Sequence, residues 1–225
     1  MRNTNIKMVA TSAALLGGLL LAAPSGRAFA AYPLATDDAG TVKRDSCELE
    51  ASYDDYRDEA DLASRAGGLS FKHGVTDRMD IGLSLPYRFR PETEGRVGAA
   101  SLALKFSLVP DRLAFSVSNE LGEKEYFLNG ILSGEFGALK AHLNAGYLSS
   151  GDETTAGSAS FGIAAEYPLS RYAAVAELRS EEGGSGEALL GLRYALREGL
   201  FVSAGGARRL EAARYRFTCG FHMEF

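Results

Sequence analysis

The residues of this chain with chemical potential are charged side chains spaced two apart. Glu48 and Glu50, Lys72, Asp80, Arg88, Lys105, Glu120, Lys140 with His142, Glu166, Glu177, Glu187, Arg193, Arg216 and Glu224 each fall on the polar side of a segment whose alternate residues are apolar. Period two is the signature of a strand with one face in water and the other in an apolar medium. A set of such strands closed on themselves would line a lumen with both signs of charge. Rings of charge of that kind tune which solutes pass a pore; they equally build a salt-bridged interior that only stabilises it. The near-balance of signs predicts weak ion selectivity.

Other constellations carry less. His142 and Asn144 share a polar face, and a Ser–His–Asn set would make a lipid-modifying enzyme. Nucleophilic catalysis needs a Ser in hydrogen-bond reach of the base, and the His-x-Asn spacing supplies Asn instead, so no catalytic residue is assigned and the chain reads as a non-enzyme. His73 and His222 stand far apart, and no His/Cys cluster has metal-ligand spacing, so no metal or cofactor is expected. Asp37 and Asp38 alone offer too few oxygens for calcium and read as an Asx-type turn. Cys47 and Cys219 lie on the first and last strands, which closure would make neighbours. A disulfide needs their Cα atoms within ~7 Å, and Cys219 sits several residues inside its strand whereas Cys47 begins its own.

The elements that must position these residues can be read in order. Arg2 and Lys7, an apolar run from Met8 to Ala23, Pro24 and then Ala28-Phe29-Ala30 form a secretory signal peptide cleaved after Ala30. Its loss leaves 21 basic against 29 acidic residues, a net charge of about −8, which argues against nucleic acid as a partner. Residues 31–45 are rich in turn formers and are placed outside the strands, in the periplasm or in the barrel mouth as a plug.

Residues 46–225 then divide into twelve alternating segments: Ser46 to Tyr56, Gly67 to Val75, Met79 to Phe89, Gly98 to Leu108, Leu113 to Leu121, Tyr126 to Glu135, Leu139 to Leu148, Phe161 to Tyr167, Tyr172 to Arg179, Glu187 to Leu196, Leu200 to Ala207 and Arg214 to Phe225. The facing of Tyr126 to Glu135 is open. Short connections at Thr76 to Arg78, Pro110 to Arg112, Phe136 to Ala138, Pro168 to Ser170 and Arg197 to Gly199 alternate with longer ones, with Gly122 to Lys124 the short exception. An even strand count with alternately short turns is the pattern of a closed antiparallel transmembrane β-barrel of a bacterial outer membrane. Tyr87, Phe89, Tyr147, Tyr167, Tyr194 and Phe225 would form its interfacial girdles. A soluble lipocalin-like barrel, apolar inside and with about eight strands, is the structural alternative.

The last segment places Tyr215, Phe217, Cys219, Phe221, Met223 and Phe225 on one face. Its resemblance to other outer-membrane proteins that end in Phe implies that Tyr215, Phe217, Phe221 and Phe225 form the insertion signal read by the barrel-assembly machinery, with outer-membrane lipid as the other partner.

Pro33-Leu34-x-Thr36-Asp37-Asp38-x-Gly40-Thr41, followed by Glu48-Leu49-Glu50, resembles outer-membrane transporters of the MetA-pathway phenol-degradation type, as does Leu143-Asn144-Ala145-Gly146-Tyr147. The resemblance implies a Gram-negative outer-membrane barrel passing small hydrophobic or aromatic compounds. The sequence thus leads to a passive pore or transporter for small solutes, with a non-conducting barrel filled by side chains and residues 32–44 as the second reading.

Overall fold

The computed structural model describes residues 32–57, 63–91, 96–152, 154–184, 186–211 and 214–225; the signal-peptide expectation lies outside them. Twelve strands follow one another: β1 (Cys47–Arg57), β2 (Ala63–Thr76), β3 (Met79–Arg90), β4 (Ser101–Val109), β5 (Leu113–Glu120), β6 (Tyr126–Phe136), β7 (Leu139–Leu148), β8 (Ser158–Leu169), β9 (Tyr172–Glu181), β10 (Glu187–Arg197), β11 (Leu200–Arg209) and β12 (Tyr215–Glu224). Each pairs with its chain neighbours, and β1 pairs antiparallel with β12, so the sheet closes without an edge. Closure satisfies every ladder without help from water, the condition for crossing hydrocarbon with strands.

The twelve-strand reading holds, with shifts at the ends. β2 begins at Ala63 rather than Gly67, because residues 63–65 continue the ladder against Arg57, Tyr56 and Asp55. Polar residues carry these strands past the apolar belt, where periodicity loses its meaning. The turns at 77–78, 110–112, 137–138, 170–171 and 198–199 all lie at the end of the barrel that holds the Cys47–Phe225 closure. Gly137 and Gly199 take positive φ there (62° and 69°), the conformation that lets so short a link reverse the chain.

Alternation sorts the wall into two faces. Leu69, Leu85, Phe106, Phe161, Leu178, Leu190, Leu192 and Phe217 point outward and are exposed. An apolar belt of this extent is far larger than a soluble surface carries and matches the lipid face of a transmembrane barrel. The inner face holds Asp80, Lys105, His142, Glu166, Glu177, Arg193 and Arg216, all buried. This polar interior is the opposite of a lipocalin's. The open question on β6 resolves in the same way: Asn129, Ile131 and Ser133 are buried inward, and Leu128, Gly130 and Leu132 alternate with them on the outer side.

The seam register decides the cysteines. Cys219 lies opposite Tyr53, whereas Cys47 meets Phe225. The six positions between Cys47 and Tyr53 amount to roughly 20 Å along a strand, so no disulfide can form, and both cysteines are free. Cys47 instead sets its sulfur 3.4 Å from Nδ1 of His73.

Candidate functional site

Residues 32–44 lie inside the barrel and touch opposite walls. Tyr32 sits at the β1–β12 seam. Its N–H donates to Glu50 Oε1 (3.1 Å), and its hydroxyl donates to Asp54 Oδ1 (2.9 Å) and also bonds the Thr218 hydroxyl. Leu34 then packs with Ala164, Val175, Leu189 and Ala207, an apolar patch on the inner face of β8 to β11. The N–H groups of Ala35 and Thr36 both donate to Glu177 Oε1, the former at 2.8 Å.

The segment next crosses toward β7, β6, β4 and β3. Asp37 donates its N–H to Asn144 Oδ1 (2.8 Å), and Asn144 Nδ2 returns a bond to the Asp37 carbonyl (2.8 Å), so one side chain imitates a strand partner. Ala39, fully buried against Ala114 and Ile131, donates to Ser133 Oγ (2.8 Å). Val42 donates to Asp80 Oδ2 (3.0 Å). The segment leaves the barrel across β2, where Arg44 bridges to Gly74.

Glycine makes room at two close approaches. A Cβ on Gly220 would stand 2.2 Å from the Tyr32 ring, and one on Gly74 would stand 2.0 Å from the Lys43 carbonyl oxygen. Backbone cannot retreat as the end of a flexible side chain can, so Gly74 fixes where the segment passes. Inward glycines inside strands are the sequence signal that another backbone comes near.

Lys105 is the cation of this crossing, with Nζ 3.0 Å from Asp37 Oδ1 and 3.9 Å from Asp38 Oδ1. Burial alone would raise the Asp37 pKa, but Lys105, helped by Lys72, overrides it and holds that carboxyl below the usual range. Asp38 goes the other way. Burial, opposed by Lys105 and reinforced by the Asp37 charge, pushes it up to about 6. Its Oδ1 accepts the Gly40 N–H (2.6 Å), closing the Asx turn read from the sequence.

The remaining inner charges pair within the wall. Lys72 Nζ lies 3.3 Å from Glu48, Arg193 lies 2.9 Å from Glu166, and Arg216 bridges Asp54 (3.1 Å) and Glu187 (2.6 Å). Glu50 accepts from Tyr32 and faces His222 Nδ1 at 3.3 Å. Arg88 and Glu120, grouped with these by the sequence, are exposed near the far rim and stand apart from the packed middle. Tyr215, Phe217 and Phe225 are exposed on the outer face of β12 and its end, with Phe221 partly covered between them.

One correction concerns His142. The sequence assigns it only Asn144 as a neighbour, yet Ser133 Oγ lies 2.8 Å from His142 Nδ1, and His142 Nε2 lies 3.6 Å from Glu166 Oε1. This is a serine–imidazole–carboxylate order, hidden from the sequence because the facing of β6 was open. Ser133 and His142 are fully buried, and the serine oxygen already accepts the Ala39 N–H. Ser133 thus anchors the segment at Ala39, with His142 holding the serine from the other side.

No protein-family model and no curated protein matches the sequence. Solved structures do match in fold. The chain superimposes on the KdgM porin with a TM-score of 0.58 at 10% identity, over 78% of this chain and 99% of that one. It also superimposes on the KdgM porin in complex with disordered oligogalacturonate, with a TM-score of 0.57 at 8% identity over 79% and 99%. For the Acinetobacter baumannii outer-membrane protein Omp33 the TM-score is 0.50 at 9% identity over 80% and 99%. What the chain shares with these proteins is the twelve-stranded porin-type barrel.

Proposed function

We propose that the protein is a passive pore for small solutes in the outer membrane of a Gram-negative bacterium, and that residues 32–44 are a plug that gates it. One observation carries this reading. Every strand of the wall is already paired on both sides, so the plug completes no ladder within the barrel. It is held there largely by hydrogen bonds to side chains of a polar wall, which can exchange with water when it moves. Fold supports a pore only by analogy; one neighbour of this fold is a porin seen with oligogalacturonate.

Membership of the MetA-pathway phenol-degradation family belongs to the same proposal. The motif that suggests it contains Leu34, Thr36 and Asp38, which are buried in the lumen, and Asp37, which Lys105 and Asn144 hold. That membership brings small hydrophobic or aromatic compounds as solutes. The reading also makes β12, through Tyr215, Phe217, Phe221 and Phe225, the strand recognised by the assembly machinery.

The burial of the plug favours a second reading, a barrel that does not conduct. Single-channel recording on the refolded full chain separates the two. The wild type is expected to stay mostly closed. A variant with Gly220→Val and Gly74→Val, which fills two plug seats, is expected to show sustained discrete openings. Silent recordings from both proteins, each shown to be folded by heat-modifiable gel mobility, would establish the non-conducting barrel.

A further inference from the structure

We infer that the lumen is a site for cationic, hydrogen-bond-donating solutes, and that the plug occupies it as an internal mimic of such a solute. The inference rests on the gated-pore reading and sets a solute class different from the hydrophobic or aromatic compounds that the family resemblance implies. Six plug N–H groups, those of Tyr32, Ala35, Thr36, Asp37, Ala39 and Val42, all donate to side chains of the wall. The acceptors are Glu50, Glu177, Asn144, Ser133 and Asp80. Three are acidic residues, and none is a cation that would favour a carboxylate or phosphate cargo. The wall presents a track of acceptors to the plug amides, and donates back at Asp37 through Asn144 Nδ2 and Lys105 Nζ.

The charges make the preference directional. Lys72, Arg193 and Arg216 are committed to Glu48, Glu166, and Asp54 with Glu187, and these pairs lie within the wall. They persist when the plug moves. Lys105 makes its ion pair with the plug, and Asp80 stands directly opposite it on the neighbouring strand. Departure of Asp37 and Asp38 therefore leaves Lys105 a wall partner, while Glu177 loses both of its amide donors. The opened lumen carries its uncompensated charge at Glu177 and is negative there. A carboxylate facing the opened lumen attracts cations and repels anions.

The test uses the whole chain. A protease recognition sequence is inserted between Arg44 and Asp45, whose side chains are 63% and 84% exposed. The protein is folded intact, nicked, and challenged with spermidine or citrate at matched ionic strength. Release of the plug peptide is followed by size exclusion and mass spectrometry. Spermidine is expected to release it at a concentration at least about tenfold lower than citrate, and Glu177→Gln is expected to shrink that ratio toward one. Equal potency, a citrate preference, a plug that neither solute releases, or a ratio indifferent to Glu177→Gln would each overturn the inference. The readout does not depend on conduction: spermidine-selective release from a barrel that never opens in recordings would sustain this site and sink the pore.

Discussion

On β10, Leu190 and Leu192 face lipid while Leu189 and Arg193 face the lumen. Outside, Leu190 is 72% and Leu192 53% exposed; inside, Leu189 is 1% and Arg193 7% exposed. Each outer leucine meets fluid acyl chains, which accept any apolar shape. Each inner residue meets fixed partners: Leu189 packs in the cluster around Leu34, and Arg193 reaches Glu166. The outer face is therefore specified by composition and the inner face by pairing. Substitutions should be forgiven on one and punished on the other.

The largest expected contrast sets Arg216 against Leu192. Arg216→Ala removes the cation buried between Asp54 and Glu187, leaving Asp54 only the Tyr32 hydroxyl and Glu187 only the more exposed Arg179. Breaking a buried charge pair by removing one partner costs about 3–5 kcal/mol. Leu192→Ala loses the transfer energy of three carbons, about 2 kcal/mol, and because lipid fills the space no cavity term is added. Guanidinium unfolding of the two variants refolded in lipid vesicles measures both. Equal losses would erase the distinction between the faces.

A smaller effect on stability, but a larger one on biogenesis, is expected at the outer face of the seam. Phe225 is 62% exposed, and its backbone closes the ladder against Cys47 through N–H to O bonds in both directions (3.0 and 2.7 Å). Deleting it removes one ladder step and one aromatic anchor. The expected outcome is a several-fold fall in assembled barrel in cells, with nearly unchanged stability of the fraction that assembles. Heat-modifiable mobility of outer-membrane fractions reads the first and guanidinium unfolding the second. Normal assembly of the truncated chain would remove the special role of this strand.

The same contrast explains what could be read from the sequence. The wall was legible because lipid selects only for apolar character at every second position, a signal that needs no knowledge of partners. The alternation of Met79 to Phe89 and of Leu139 to Leu148 showed which residues share a face. Inner residues were legible as polar, but their partners were not. Glu166 with Arg193, and Asp80 with Val42, meet across strands or across the lumen, where spacing in the chain says nothing. Ser133 was lost because Tyr126 to Glu135 mixes small and apolar residues on both faces. The course of residues 32–44 was lost because an irregular segment has no period. Its traces were Gly74 and Gly220, inward positions left without a side chain, and they acquire meaning only once a visitor is known to pass them.

The finest test of the inner face is its response to pH. Asp38 has its docked pKa raised from 3.8 to about 6 by burial, with the neighbouring Asp37 charge adding to it and Lys105 opposing it. A carboxyl whose docked pKa exceeds its free value takes up a proton on docking. Its contribution is full below 3.8 and is lost as pH rises through about 6. Asp37 has the opposite sign: its docked pKa is lowered, so its contribution is present above 3.8 and fades only at lower pH. Between pH 7.5 and 5.0 Asp38 therefore governs, and the plug should dock more tightly as the medium acidifies. Hydrogen exchange of residues 32–44 in the intact protein, corrected for intrinsic rates, should slow several-fold over that interval. Asp38→Asn, which keeps an acceptor for the Gly40 N–H but cannot titrate, should flatten the response. Faster exchange at pH 5.0 would show that Asp38 is outweighed by the hydrogen bonds that the plug amides make to the wall. The segment would then be fastened chiefly by those amides, with the Asp37–Asp38–Lys105 cluster a minor contributor.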